Sequence, residues 1–190
     1  MGRPPSANDA AAEQAIRDLI AALGLDPALE PELERTPGRV ARFYAEIFAA
    51  ARPGPEPEIA TFPHPGQGDP LVVVRDLAFH SLCVHHFVPF FGSARIAYLP
   101  GERIIGISGV ARLLDFYARR PQLQERLTTQ LADHLERLLG PRGLAVVLEA
   151  RHLCMEMHGV RKPGTVETRV VRGLLATPPW AGVLDAPRAT

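Results

Sequence analysis

The stretch Ser81-Leu82-Cys83-Val84-His85-His86-Phe87 constrains this chain most, because it sets metal-binding and proton-transfer side chains between two apolar runs. Its counterpart lies far downstream, at Arg151-His152-Leu153-Cys154, so the fold must bring two distant segments together. Thiolate and imidazole are preferred ligands of zinc, and Cys83 with His86 can reach one ion only if the backbone turns between them. On an extended strand the two would point to opposite faces. His152 and Cys154, two apart, would share one face of a strand and look into one site. Cys83, His86 and Cys154 make three ligands and leave a fourth position for water, as catalytic zinc sites do. His85 and His152 then stand beside that water as candidate acids and bases.

A chain of 190 residues is long enough to bury a real core and short enough to be one domain. Its 21 basic and 21 acidic residues cancel, and no Lys/Arg run tracks a phosphate backbone, so a nucleic-acid partner is not expected. No apolar stretch approaches a membrane span, and Met1-Gly2-Arg3-Pro4-Pro5-Ser6 lacks the apolar region of a secretory signal. The expectation is a soluble, cytoplasmic protein with no membrane partner. Two cysteines then read as reduced thiols available to metal.

The pattern predicts a helix capped by Asn8 and ended by Gly24, and a second with Thr36 as N-cap and Pro37 at its first position. Residues 52–70, rich in Pro and Gly, read as a surface loop. Strands are expected at 71–79, 91–99, 144–157 and 166–175, with a short strand or bend at 104–107. Between them, Ser108 is expected to cap one helix and Pro121 to open another, whose inner stripe is Leu127, Leu131, Leu135 and Leu138. This order is an α+β layout, an antiparallel sheet with two helices packed on one face, preceded by N-terminal helices. The corresponding divisions are residues 1–70, 71–177 and a C-terminal tail, 178–190.

Cys83-Val84-His85-His86-Phe87, Ile105-Gly106-Ile107-Ser108, Arg119 to Thr128, His152-Leu153-Cys154 and, upstream, Arg35 to Ala41 together resemble the GTP cyclohydrolase I family. The resemblance implies the tunnelling fold, a toroidal homodecamer with active sites at subunit interfaces, and Zn2+ held by Cys83, His86 and Cys154. It implies hydrolytic opening of the guanine imidazole ring of GTP at C8, loss of formate, and closure to dihydroneopterin triphosphate, a pterin and folate precursor. His152 and His85 match the proton-transfer histidines, Ser108 a residue near the ribose, and Glu125 the carboxylate that reads the guanine edge, with Gln124 beside it among the substrate contacts. Arg39, Arg42 and Arg112 resemble phosphate contacts.

Four departures from the family pattern stand out. Val84 replaces the usual Glu, Gly109 a frequent Lys, His158 an Arg, and Glu167 and Arg169 interrupt a Thr/Ser-rich stretch. The Lys and the Arg contact triphosphate in the family. Charged hydrogen bonds contribute roughly 1.5–3 kcal/mol each, so losing two could weaken triphosphate binding by about two to four orders of magnitude. His158, when protonated, could itself donate to phosphate. The alternatives are the same ring opening on a purine nucleotide with fewer phosphates, a reaction that stops before pterin closure, or a non-catalytic zinc-binding assembly subunit.

Overall fold

A computed structural model describes residues 7–51, 55–66, 68, 70–182 and 184. The expected N-terminal lead, residues 1–6, and the end of the tail lie outside the described residues. Packing divides the chain into two compact units, residues 1–52 and 53–190.

In the first unit, α1 (Ala7–Ala22) packs on α2 (Thr36–Ile47). Thr36 is not the cap. A 3-10 turn over Pro31–Arg35 runs straight into α2, Arg35 takes the capping position, and the Thr36 hydroxyl donates back to the Glu32 carbonyl instead.

In the second unit the Pro/Gly-rich stretch is not all loop. It contributes β1 (Thr61–Pro63), and β2 (Val72–Cys83), β3 (Pro89–Leu99) and β4 (Arg103–Ile105) follow, with β1 and β4 pairing antiparallel. Then come α3 (Ile107–Ala118), β5 (Pro121–Gln122), α4 (Gln124–Leu139), β6 (Gly143–His152), the short α5 (Leu153–Met157) and β7 (Thr165–Gly173). The main sheet has the order β5-β2-β3-β6-β7, antiparallel except for the parallel β5–β2 pair.

Three sequence expectations fail here for local reasons. Ser108 lies inside α3, because Gly106 holds the extended conformation at the cap. Pro121 does not open α4. Pro121 and Gln122 pair with Leu82 and Cys83 as an extra strand, and the helix starts at Gln124. The strand expected through Met157 stops at His152 and turns into α5, which lifts Cys154 off the sheet.

Alternation decides what each strand offers to the helices. Phe90, Ala94, Ile96 and Tyr98 of β3, and Leu144, Val146, Leu148 and Ala150 of β6, pack with Val110, Leu113 and Leu114 of α3 and Leu127, Leu131, Leu135 and Leu139 of α4. Burying one such side chain fully stabilises the fold by about 1.5–3 kcal/mol. On the opposite face, Ala97, Leu99, Ala145 and Val147 pack with Leu175 and Leu184, so the chain after β7 covers that side.

Strand β2 changes phase midway. Val74 pairs with Ile96 but Leu77 with Ala94, so Arg75 and Asp76 stand opposite one residue of β3, and Asp76 takes the left-handed conformation at φ 58°. Before this bulge Val72 and Val74 face the helices; after it Leu77, Phe79 and Cys83 do. If the extra residue were not absorbed in the bulge and alternation ran on unbroken from Val74, Cys83 would point the other way.

Helix α4 also carries a buried histidine. The His134 Nδ1 lies 2.9 Å from the Tyr117 hydroxyl and 3.7 Å from the Glu56 carboxylate, and Glu56 accepts two hydrogen bonds from Arg137. Desolvation holds His134 below its ordinary value; Glu56 opposes this and Arg137 adds to it. Among the described residues no helix is long and apolar enough to cross a membrane.

Two outcomes are expected. Asp76→Val, whose β-branched side chain disfavours the left-handed conformation the bulge uses, should weaken metal retention, while Asp76→Gly, which keeps that conformation, and deletion of Asp76, which leaves Leu77 to Cys83 in phase with Val74, should retain it; atomic emission on the three variants checks this. His134 is depressed in the folded state, so its contribution is present above the unfolded value of ~6.5 and lost as pH falls below it. The thermal midpoint of His134→Gln should therefore fall less between about pH 7 and pH 5 than that of the parent chain.

Candidate active site

The end of β2, the start of β3, the end of β6 and the first turn of α4 meet at one end of the sheet. Ser81 is buried there and donates to the Ala118 carbonyl at 2.8 Å, which ties the end of β2 to α3. The chain then reverses over residues 84–86. The Phe87 amide donates to the Cys83 carbonyl at 2.8 Å, Phe87 adopts φ 54°, and the Cys83 amide donates to the Val88 carbonyl at 3.0 Å. The Val84 amide donates to Gln122 on β5 at 2.9 Å, so the extra strand anchors the turn.

This reversal puts three donor atoms together. The Cys83 Sγ lies 3.7 Å from the His85 Nδ1 and 3.8 Å from the His86 Nδ1, and all three lie within 4.8 Å of one another. Sulfur at ~2.3 Å and nitrogen at ~2.0 Å from a tetrahedral zinc stand roughly 3.5 Å apart, so the spacing fits that ion. His85 is as near to the sulfur as His86. Cys83 is buried, whereas both imidazoles are exposed. Cys154, in α5, interacts directly with the Cys83 thiol, and burial and that neighbour push its own thiol up. Both cysteines are free. Cys154 therefore reaches Cys83 from a helical turn, not from the strand face shared with His152.

His152 ends β6 on the helix-covered face. Its ring stacks on Phe90, its cross-strand partner, at 4.7 Å with the planes 1° apart. Its Nε2 lies 2.7 Å from the Gln124 Oε1. Burial lowers the His152 pKa, and the nearby Glu125 carboxylate opposes that shift. Glu125, in the first turn of α4, is exposed while its neighbour Gln124 is buried.

Gln124 is thus placed differently from the substrate contact expected of it. Its side chain is 1% exposed and its amide is used within the chain. Ser108 is exposed at the start of α3 and Arg112 is exposed one turn on. Arg39 and Arg42 belong to the first unit, where with Arg35 they line a concavity around Gly38, opposite Glu13 and Glu34. His158 follows α5, and its ring lies 5.8 Å from that of His86.

Two of the four departures acquire a physical meaning. Gly109 is buried, and a Cβ there would lie 2.8 Å from Cγ2 of Ile59 and 3.1 Å from Cγ1 of Ile105. Apolar packing fills the space a side chain would need. Glu167 and Arg169 pair with each other and Glu167 with Arg95 at 2.6 Å, on the sheet face away from the helices. Thr168, between them, faces α4 and bonds to Thr128 and Gln124. Two contributors escaped sequence reasoning: Phe90, recognisable only once the β3–β6 register is known, and Thr168, masked by its charged neighbours.

An α+β sheet covered by two helices thus carries, at one end, a thiol and imidazole cluster whose donor atoms could hold a metal ion, and a stacked histidine. The comparisons specify this site further. A profile of the GTP cyclohydrolase I family matches residues 12–180. The GTP cyclohydrolase 1 of Mycolicibacterium gilvum is 50% identical over 176 residues, covering 91% of this chain and 86% of that protein. That of Streptomyces avermitilis is 52% identical over 170 residues, covering 88% and 84%. This chain belongs to the GTP cyclohydrolase I family, and its fold is the tunnelling fold of that family.

Restoring a lysine by Gly109→Lys alone should destabilise the chain by about 1–3 kcal/mol through overpacking against Ile59. Adding Ile59→Ala should recover part of that loss. Urea denaturation of the two variants checks both statements.

Proposed function

We propose that this chain is a zinc-dependent GTP cyclohydrolase I, opening the guanine imidazole ring at C8, releasing formate and closing the product to dihydroneopterin triphosphate. The observation that carries the reading is the approach of Cys83, His85 and His86 to one another, with Cys154 against Cys83, at the sheet end that also holds His152. The reading assigns Cys83, His86 and Cys154 as ligands, and a cytoplasmic setting would keep the two thiols reduced. Zinc, when bound there, supplies the Lewis acidity that makes water nucleophilic near neutral pH.

The remaining residues bind, orient and move protons. His152, held neutral by burial and flat by Phe90, exchanges a proton with the purine ring nitrogen next to C8. His85, exposed beside Cys83, serves the second transfer. The Glu125 carboxylate, near His152, accepts two N–H donors from the guanine edge as a bidentate pair. Ser108 relays protons during the ribose rearrangement. Arg112, and Arg39 and Arg42 of a neighbouring copy in a decameric ring, take the phosphates.

A second reading, in which the phosphate chain is shorter, is favoured by the filled space at Gly109 and by His158 beside His86. Formate release by the zinc-loaded protein, offered GTP and guanosine monophosphate in parallel with products weighed by mass spectrometry, separates the two. Formate and a dihydropterin from GTP alone support the first; comparable turnover of the monophosphate supports the second. His152→Ala should lower kcat by about 10²–10⁴-fold at unchanged zinc content. Unimpaired turnover by that variant would contradict the role given to His152.

A further inference from the structure

We infer that Gln124 is a positioning residue that fixes His152 as the Nε2–H form, leaving Nδ1 as the only ring nitrogen that can exchange a proton with substrate. The inference deepens the proposed function and rests on its reading of His152 as the proton carrier.

The far end of the Gln124 amide fixes its orientation. The Gln124 side-chain nitrogen lies 3.0 Å from the Leu148 carbonyl oxygen, 2.9 Å from the Val166 carbonyl oxygen and 3.2 Å from the Thr168 Oγ1. Two backbone carbonyls can only accept, so the group facing them must be the NH2. Reversing the amide would set an oxygen against two oxygens in a side chain that is 1% exposed. The hydroxyls agree with this direction. Thr128 donates to the Gln124 backbone carbonyl at 2.8 Å, so Thr168 donates to Thr128 at 2.6 Å and keeps its lone pair for the Gln124 NH2.

With the NH2 fixed, the Oε1 must face His152, 2.7 Å from Nε2. A carbonyl oxygen offers no proton, so Nε2 carries the hydrogen whether the ring is neutral or cationic. The stack on Phe90, with planes 1° apart, fixes the ring plane, and within that plane a flipped ring would set carbon instead of nitrogen against the Gln124 oxygen. Three acceptors on two strands, acting through Gln124 of α4, thus set one proton on one histidine. In metal sites, partners that orient an imidazole through its second nitrogen typically contribute 10–100-fold in activity or affinity.

The test is 15N NMR of the zinc-loaded full chain labelled at histidine nitrogen. It is run near pH 8, above the ordinary imidazole value of ~6.5, with His152 assigned by its absence from His152→Asn. A protonated-type Nε2 shift with an unprotonated-type Nδ1 is expected; the reverse pattern overturns the inference whether or not the chain turns over GTP. Two variants extend it. Gln124→Met fills the space without an acceptor and should lose the single tautomer, with kcat down by about 10–100-fold and KM little changed. Gln124→Glu keeps an acceptor oxygen toward Nε2 at the expense of fold stability, since its other oxygen meets the Leu148 and Val166 carbonyls, and should keep the tautomer. A merely structural Gln124 predicts the opposite order, with Met tolerated better than Glu in both spectrum and kcat, and that result would overturn the inference. Should either variant fail to fold, the spectrum of the unmodified chain still decides.

Discussion

The site depends on a single β-bulge in β2, which absorbs one extra residue without turning the rest of the strand over. A strand of uninterrupted alternation that begins with Val72 and Val74 toward the helices would send Cys83 to the opposite face. The bulge at Arg75 and Asp76 reverses the phase, and Cys83 arrives on the side where His152 ends β6 and Gln124 begins α4. Strands β3 and β6 need no such device, because their even-numbered residues face the helices throughout, from Phe90 to Tyr98 and from Leu144 to His152. The chemistry is thereby gathered at one end of a sheet whose remainder is packed apolar core.

Polar groups at that end are held by partners within the fold. Ser81, Gln122, Gln124 and Thr128 are buried, and each is hydrogen-bonded to a backbone carbonyl or another side chain. Among the described residues no buried side-chain nitrogen or oxygen lacks a partner. A buried polar group left unpaired costs about 1–3 kcal/mol, so this network favours one arrangement over its neighbours. Gln122 shows the economy of the design: its side chain bridges Tyr117 and Gln130, while its backbone carbonyl anchors the turn that carries His85 and His86.

Much of this could be read before any coordinates. The α+β order, the helix-facing leucines of α4 and the meeting of the Cys83 and Cys154 segments follow from periodicity, residue chemistry and family motifs. What escaped was set by tertiary context. Arg75-Asp76 reads as a polar interruption of a strand, and only pairing with β3 makes it a bulge. Thr36 and Ser108 have the composition of caps, yet a preceding 3-10 turn and an extended Gly106 take those positions. Pro121 has the chemistry of a helix start but is captured by the end of β2. The contact between Gln124 and His152 joins residues whose proximity depends on the packing of α4 against β6, which no local pattern encodes.

The central claim is that this phase-shifted sheet brings two cysteines and one histidine to a single zinc. X-ray absorption at the zinc edge of the loaded protein tests it most directly. Two sulfurs at about 2.3 Å with nitrogen or oxygen at about 2.0–2.1 Å would match Cys83, Cys154 and one imidazole. One sulfur with two imidazoles would mean that Cys83, His85 and His86 hold the ion without Cys154, and would contradict the account.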